Sequence, residues 1–445
     1  MKSTDMDPAR RRFLTQFVCG SGLLGLRALA TGLPMQLLAN PRPACALAVT
    51  ATFKNPQYLI LNTSQAGDPL NCNAPGTYLD AKIAHPADPR LQKTALMIGG
   101  ASYDAAAPWA TLGSFERTTF IHHSTQTEQH LAEPEVLGLM GTVVDKDMAV
   151  SAFARILAPV LGTIQLQPVS IGTTDSSEAI SYQGRPQPLL NPTALSVLLG
   201  APDGMLGQLQ KLRDRDLNRL NALFKAQGNR EQRRFLDDYA TSQTQVRQLS
   251  SDLLTRLGAI TNNGPDGQIQ AALVLVQLKV APVITVHIPF GGDNHFDGDL
   301  TQEADQTVSG MNTIAGLLKG LSEQKLSDHV TFASLNVFGR TLLKHGSGRS
   351  HNRNHHLTLI IGKNVKGSVI GGVTPMGDDY AALPISSTTG AGAASGDIAA
   401  ADALPSVGRT LGAALGLPVS ELDKTVVVPS SGEPAGKVIQ AALSV

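Results

Sequence analysis

The stretch Pro282-Val283-Ile284-Thr285-Val286-His287-Ile288-Pro289-Phe290-Gly291-Gly292-Asp293-Asn294-His295-Phe296-Asp297-Gly298-Asp299 decides the fold class. Val283, Ile284, Val286 and Ile288 form an apolar, β-branched run that stops at Pro289. A short buried run closed by turn residues is the pattern of a central strand in a parallel sheet. Open α/β sheets bind ligands beyond the carboxyl ends of such strands. Asp293 and His295 fall there, and Asp297 and Asp299 follow. Carboxylate oxygen and imidazole nitrogen suit a divalent metal, and the second histidine cluster downstream favours that reading over a solvated acidic loop holding one stray histidine.

Working outward, the segments on both sides alternate between strand and helix patterns. Thr301 to Leu321 places Val308, Met311, Ala315, Leu318 and Leu321 on one helical face, and Gln268 to Lys279 reads as the helix before the central strand. Val330 to Leu335 and Leu357 to Ile361 are the next strands, and between them runs the polar loop from Lys344 to His356. Upstream, Gln57 to Asn62, Thr94 to Ile98 and Thr118 to Ile121 read as strands, and Val136 to Met140 as a short apolar helix. This alternation predicts an α/β fold with a doubly wound, mainly parallel sheet. Residues 142–204 mix short apolar pieces with Gly, Pro and Ser, as loops and small helices at the sheet rim would. Ser386 to Ala401 reads as a Gly/Ala/Ser/Thr loop, and Leu404, Val407, Leu411 and Leu415 mark a last amphipathic helix before Gly416 and Pro418.

Residues 205–260 differ in kind. Leu206, Leu209, Leu217, Leu220 and Phe224 recur at helical spacing, as do Phe235, Tyr239, Val246, Leu249, Leu253 and Leu257 beyond Gly228-Asn229. An inserted helical hairpin is expected, with its apolar stripes packed beside or over the sheet. At the other end of the chain, Arg10-Arg11-Arg12-Phe13-Leu14 resembles a twin-arginine export motif, followed by a weakly apolar stretch and a small-residue cleavage site at Ala44-Cys45-Ala46. Residues 1–46 are therefore expected to be a signal handled by the twin-arginine export machinery. Residues 47–445 would form the mature domain, in the periplasm or outside the cell. Of three cysteines only Cys72 would remain after cleavage, so no internal disulfide is expected. Lys+Arg and Asp+Glu are 36 each. The balanced charge gives no basis for nucleic-acid binding. No apolar run in the body reaches the roughly 18–20 residues of a membrane span.

Three loops would converge if the strands are parallel and adjacent. They carry Asp68, then Asp293 with His295, then His351 with His355 and His356. Such a set could hold Zn, Mn, Ca or another divalent ion, which polarises an ester oxygen and activates water. Arg340, with its forked donors, is a candidate to neutralise an anionic ester. Cys72 lies near Asp68 in the sequence and reads as a structural or incidental thiol.

These loops resemble those of the twin-arginine-exported bacterial family called domain of unknown function 1501, a branch of the alkaline phosphatase/sulfatase superfamily. The matching stretches are Ala66-Gly67-Asp68-Pro69-Leu70-Asn71, Gly292-Asp293-Asn294-His295, Asn336-Val337-Phe338-Gly339-Arg340, Arg349-Ser350-His351-Asn352 and Leu359 to Gly372, with His130 as the counterpart of a histidine after the third strand. The resemblance implies an alkaline-phosphatase-like fold, with Asp68, Asp293, His295 and His351 facing a metal, His355 or His356 compensating for missing ligands, and Arg340 and Asn71 as candidate catalytic side chains. It implies a small anionic phosphate or sulfate ester as substrate. Val337 and Ser350 stand where the family has carboxylates, so a two-metal site would be weakened. A non-catalytic envelope binding or assembly protein with a degenerate site is the alternative expectation.

Overall fold

A computed structural model of the chain describes residues 53–67, 69–113, 115–143, 147–173, 180–182, 184–199, 204–228, 233, 236, 251–428 and 430–444. The expected export segment, Asp68 and most of the second half of the helical hairpin lie outside the described residues.

The core is an eight-stranded sheet. Its strands are β1 Tyr58–Ser64, β2 Thr118–His123, β3 Val169–Ile171, β4 Leu189–Leu190, β5 Val283–His287, β6 Val330–Asn336, β7 His356–Ile361 and β8 Ser368–Ile370. Their spatial order is β4-β3-β5-β1-β6-β7-β2-β8. All neighbours pair in parallel except β7, which is antiparallel to both β6 and β2. The central strands β1 and β5 are buried along their whole length, which is why they read as continuous apolar runs.

Side-chain alternation along β1 divides the core in two. Ile60 points into a layer with helices α3 Ser251–Gly258, α4 Pro265–Gln277 and α5 Thr301–Glu323. Leu59 and Leu61 point to the opposite layer, with α1 Ala149–Leu161 and α6 Ala403–Ala414. Helices thus cover both faces, as the sequence predicts, and the mainly parallel sheet fits the alkaline-phosphatase-like α/β expectation. Among the described residues no helix is long and apolar enough to cross a membrane.

Three expectations change. Thr94 to Ile98 is part of a strand, Lys93–Ile98, but it pairs with Ala101–Ala106 in a separate hairpin outside the main sheet. Gly99 and Gly100 both take positive φ, 59° and 85°, which a tight two-residue hairpin turn demands and glycine supplies without strain. Next, β7 runs against β6 because no helix crosses over between Asn336 and His356, and a loop return gives an antiparallel neighbour. Finally, the first hairpin helix, α2 Gly204–Gln227, exposes Leu220 and Phe224, whereas Leu253 and Leu257 of α3 enter the core. The two stripes, alike in sequence, meet different surroundings.

The carboxyl ends of β1, β2, β5 and β6 share one edge of the sheet, and β7 begins there. The loops after Ser64, His123, His287 and Asn336, and the loop before His356, therefore crowd together.

Candidate metal centre

The loop after β5 is held by its own acids and amides. Asp297 accepts from the backbone N–H groups of Gln302 and Glu303, at 3.1 and 2.7 Å, and caps the first turn of α5. Asp299 accepts from Thr301 N–H at 3.2 Å. Both carboxylates are used as helix caps. Asn294 donates to Gln306 Oε1 at 2.9 Å and accepts from Arg349 N–H through its carbonyl at 2.9 Å. The loop thereby presents Asp293 and His295.

His351 arrives from the loop before β7. Its Nδ1 lies 2.6 Å from the Glu128 carbonyl, which can only accept, so Nδ1 carries the proton and Nε2 keeps its lone pair. The ring stacks on Phe338, with centroids 4.0 Å apart and planes 22° apart. Desolvation lowers its pKa, and the nearby Arg340 charge adds to the effect, so the ring is kept neutral. His351 Nε2 is 3.1 Å from His295 Nε2, which is 3.4 Å from Asp293 Oδ1. Asp293, His295 and His351 each offer one donor atom, all within 4.8 Å of one another. Nitrogen donors about 2.0–2.1 Å from one ion, at near-tetrahedral to octahedral angles, stand roughly 2.9–3.4 Å apart. The histidine spacing fits that range. Two imidazoles and a carboxylate suit Zn or Mn better than Ca, which takes oxygen ligands. His130 flanks the group, with its ring centroid 4.8 Å from that of His351 and its Nδ1 donating to the Gln65 carbonyl at 2.7 Å.

Phe338 is the floor under His351, and Gly67 lets it lie there. Gly67 has φ 68°, and a Cβ built on it would sit 2.0 Å from the Phe338 ring. Gly67→Ala is expected to cost about 2 kcal/mol or more through left-handed strain and displaced packing. It should also weaken metal binding because the His351 platform moves. Denaturation midpoints and Zn2+ titration of the variant check both.

The other expected site residues have different places. Asp68 lies outside the described residues. Arg340 does not stand free to clamp an anion. It is fully buried, donating from Nε to Gly67 O at 2.8 Å and from Nη2 to Ala66 O at 3.1 Å and Gly292 O at 3.0 Å, with Nη1 3.4 Å from Asp293 Oδ1. It ties the loop after β1 to the loop after β5. Asn71 braces it from behind: its Oδ1 accepts from Arg340 N–H at 3.0 Å and its Nδ2 donates to Arg340 O at 2.9 Å. Cys72 is buried, and desolvation pushes its thiol pKa far up, which leaves a packing residue rather than a nucleophile.

His355 and His356 belong to a second cluster, outside the three-donor group, where they face His122 and His123 of β2. Hydrogen-bond logic fixes their protons. His122 Nε2 faces the Pro75 carbonyl at 2.8 Å and must donate, so its Nδ1 accepts from His355 Nε2 at 2.9 Å. His355 Nδ1 then accepts from Asn71 Nδ2 at 3.1 Å. His123 Nδ1 donates to Ser124 O at 3.0 Å and its Nε2 accepts from Thr358 Oγ1 at 2.7 Å. His356 Nε2 accepts from Asn336 N–H at 3.2 Å. All four rings are neutral and buried. Sequence reasoning missed His122 and His123 as their partners, although adjacent His-His pairs on two strands were a visible signal.

This cluster is expected to make stability fall in acid. Burial lowers His122 and His123 from 6.5 to about 4, and His355 and His356 well below their usual value. The unfolded chain therefore binds more protons, and stability falls as pH drops. The contribution is whole above pH 6.5 and is lost as pH falls toward about 4. The shifts of His122 and His123 would each be worth on the order of 3 kcal/mol. Urea midpoints measured from pH 7.5 down to 4.5 should fall steeply, and His122→Asn should flatten the slope.

No protein-family model matches the sequence, and no curated protein matches it. Among solved structures, the chain is similar to Ps i-CgsB, with TM-score 0.30, 12% identity, and coverage of 86% of this chain and 75% of that one. It is also similar to the PsFucS1 sulfatase from Pseudoalteromonas sp., with TM-score 0.31, 10% identity, and coverage of 94% and 79%.

Proposed function

We propose that this chain is an exported, metal-dependent hydrolase of phosphate or sulfate esters, working at the Asp293, His295 and His351 group and delivered by the twin-arginine pathway. The observation that carries the reading is the convergence of a carboxylate and two imidazoles from separate loops at the carboxyl edge of a parallel sheet. A divalent ion held there would supply Lewis-acid polarisation of an ester oxygen. The chain's own residues do the rest. Glu128 O fixes the tautomer of His351, Phe338 fixes its plane, and Arg340 locks the backbone beside Asp293. One ion fits better than two, because Val337 and Ser350 bring no carboxylate and the described acids Asp297 and Asp299 are helix caps.

A panel of aryl phosphates and aryl sulfates, with Zn2+ or Mn2+ and with chelator, tests the reading. Turnover that chelator stops and Asp293→Ala abolishes would support it. Stoichiometric metal without turnover of any ester would favour the second reading, a binding protein with a phosphatase-like fold. The Arg340 charge beside Asp293 speaks for that alternative, since it offsets the one described carboxylate of the group.

A further inference from the structure

Four hydrogen bonds lead from Arg340, beside the three-donor group, into the buried imidazole cluster, and all four run the same way. The Arg340 backbone N–H donates to Asn71 Oδ1 at 3.0 Å. Asn71 Nδ2 donates to His355 Nδ1 at 3.1 Å, His355 Nε2 to His122 Nδ1 at 2.9 Å, and His122 Nε2 to the Pro75 carbonyl at 2.8 Å. The carbonyl can only accept, so it sets the proton on each ring in turn. Arg340, Asn71, His355 and His122 are all buried. Aligned bonds in a low-dielectric interior polarise one another, and a broken one leaves a buried polar group without its partner.

The Arg340 end of this chain touches both loops that supply the donors. Gly339-Arg340 pairs antiparallel with His351-Asn352, with Arg340 opposite His351. The Arg340 guanidinium donates to Gly292 O at 3.0 Å and lies 3.4 Å from Asp293 Oδ1. Asn71 holds the Arg340 carbonyl as well as its N–H. Glycine stands at both ends of the chain, where no side chain fits. A Cβ on Gly76 would lie 2.6 Å from His122 Nε2, and one on Gly339 would lie 2.3 Å from His355 O and 2.8 Å from Asn71 Nδ2. The backbone thus closes on these polar groups and leaves them little room to shift. His123 offers the comparison. It is as buried as His122 and next to it in β2, but its bonds go to Ser124 O and Thr358 Oγ1 instead.

Resting on the metal-centre reading above, we propose that His355 and His122 are positioning residues. Through Asn71 they fix the Arg340 backbone, and with it the approach of His351 and Asp293 to one ion. Zn2+ titration calorimetry on the full chain tests this, with a urea midpoint for each variant. His355→Leu and His122→Leu should each weaken Zn2+ binding about tenfold, as losses behind a metal ligand commonly do. The two changes together should weaken it no more than one alone, since both cut the same chain. His123→Leu should lower the urea midpoint as well but leave Zn2+ affinity unchanged. His355→Gln can still accept from Asn71 through Oε1 and donate to His122 through Nε2, so it should restore most of the affinity that His355→Leu loses. Equal weakening by His123→Leu, or parent-like affinity in His355→Leu, overturns the positioning role and leaves the cluster as packing. Should His355→Leu not fold, His122→Leu carries the same comparison with His123→Leu. Zn2+ binding that Asp293→Ala fails to weaken sinks the metal-centre reading itself, and the positioning role with it.

Discussion

Glu303→Ala is expected to destabilise the protein by about 3–5 kcal/mol. Glu303 and Arg349 are both fully buried. The guanidinium meets the carboxylate through two nitrogens, Nε to Oε2 and Nη2 to Oε1, the second at 3.0 Å. Asn73 Nδ2 donates to Glu303 Oε1 at 2.7 Å. The remaining Arg349 donors hold the carbonyls of Thr341 at 2.8 Å, Leu342 at 2.9 Å and Ala84 at 2.5 Å. Removing the carboxylate strands a buried cation and an Asn73 donor together. The double variant Glu303→Met with Arg349→Met removes both charges and should lose less than the two single variants summed, although three carbonyls then lack their donor. Denaturant midpoints for the four proteins close the cycle. A single variant within about 1 kcal/mol of the parent would contradict the burial of this pair. Because Arg349 is two residues from His351 and its N–H bonds Asn294 O, the same variants should weaken metal binding as well.

The second large effect concerns the three donors themselves. Asp293→Ala and His351→Ala should each reduce Zn2+ affinity by at least about 100-fold, since a three-ligand site that loses one ligand no longer encloses an ion. Metal that binds only the folded chain stabilises it, by about 2.7 kcal/mol at 100 times Kd. The parent protein should therefore melt higher with Zn2+ or Mn2+ and shift little with Ca2+, and both variants should lose the shift. Calorimetric titration and melting curves measured with the same ions check this. His355→Gln is the contrasting control: its ring lies in the buried imidazole cluster outside the three-donor group, so it should lower stability yet keep more metal affinity than His351→Ala. If His355→Gln were the variant that abolished binding, Asp293, His295 and His351 would not be the ligand set.

Much of the architecture could be read directly from residue order. Val283 to Ile288 announced a buried parallel strand because a strand covered on both faces needs apolar residues at consecutive positions. The stripes of α4 and α5 were visible because helix burial repeats every three to four residues. Asp293, His295 and His351 could be singled out for the same reason: in a parallel sheet, ligands collect at the carboxyl ends, and the structure brings these three residues together at that edge. Such signals are local, so the sequence carries them by itself.

Tertiary structure alone decided what each polar side chain meets. Arg340 looked available to an anion, yet three backbone carbonyls and Asp293 surround its guanidinium, and nothing local encodes the approach of residues 66, 67 and 292. His351 and His355 are four positions apart in one polar loop. The first joins Asp293 and His295, and the second is drawn toward His122 because β7 enters antiparallel beside β2. Strand direction depends on how the chain returns, and a hydrogen-bond partner depends on segments more than 200 residues away, as for His355 and His122. Residue order sets the burial pattern of each element, but only the folded chain's long-range contacts divide its histidines between the three-donor group at the sheet edge and a buried imidazole cluster.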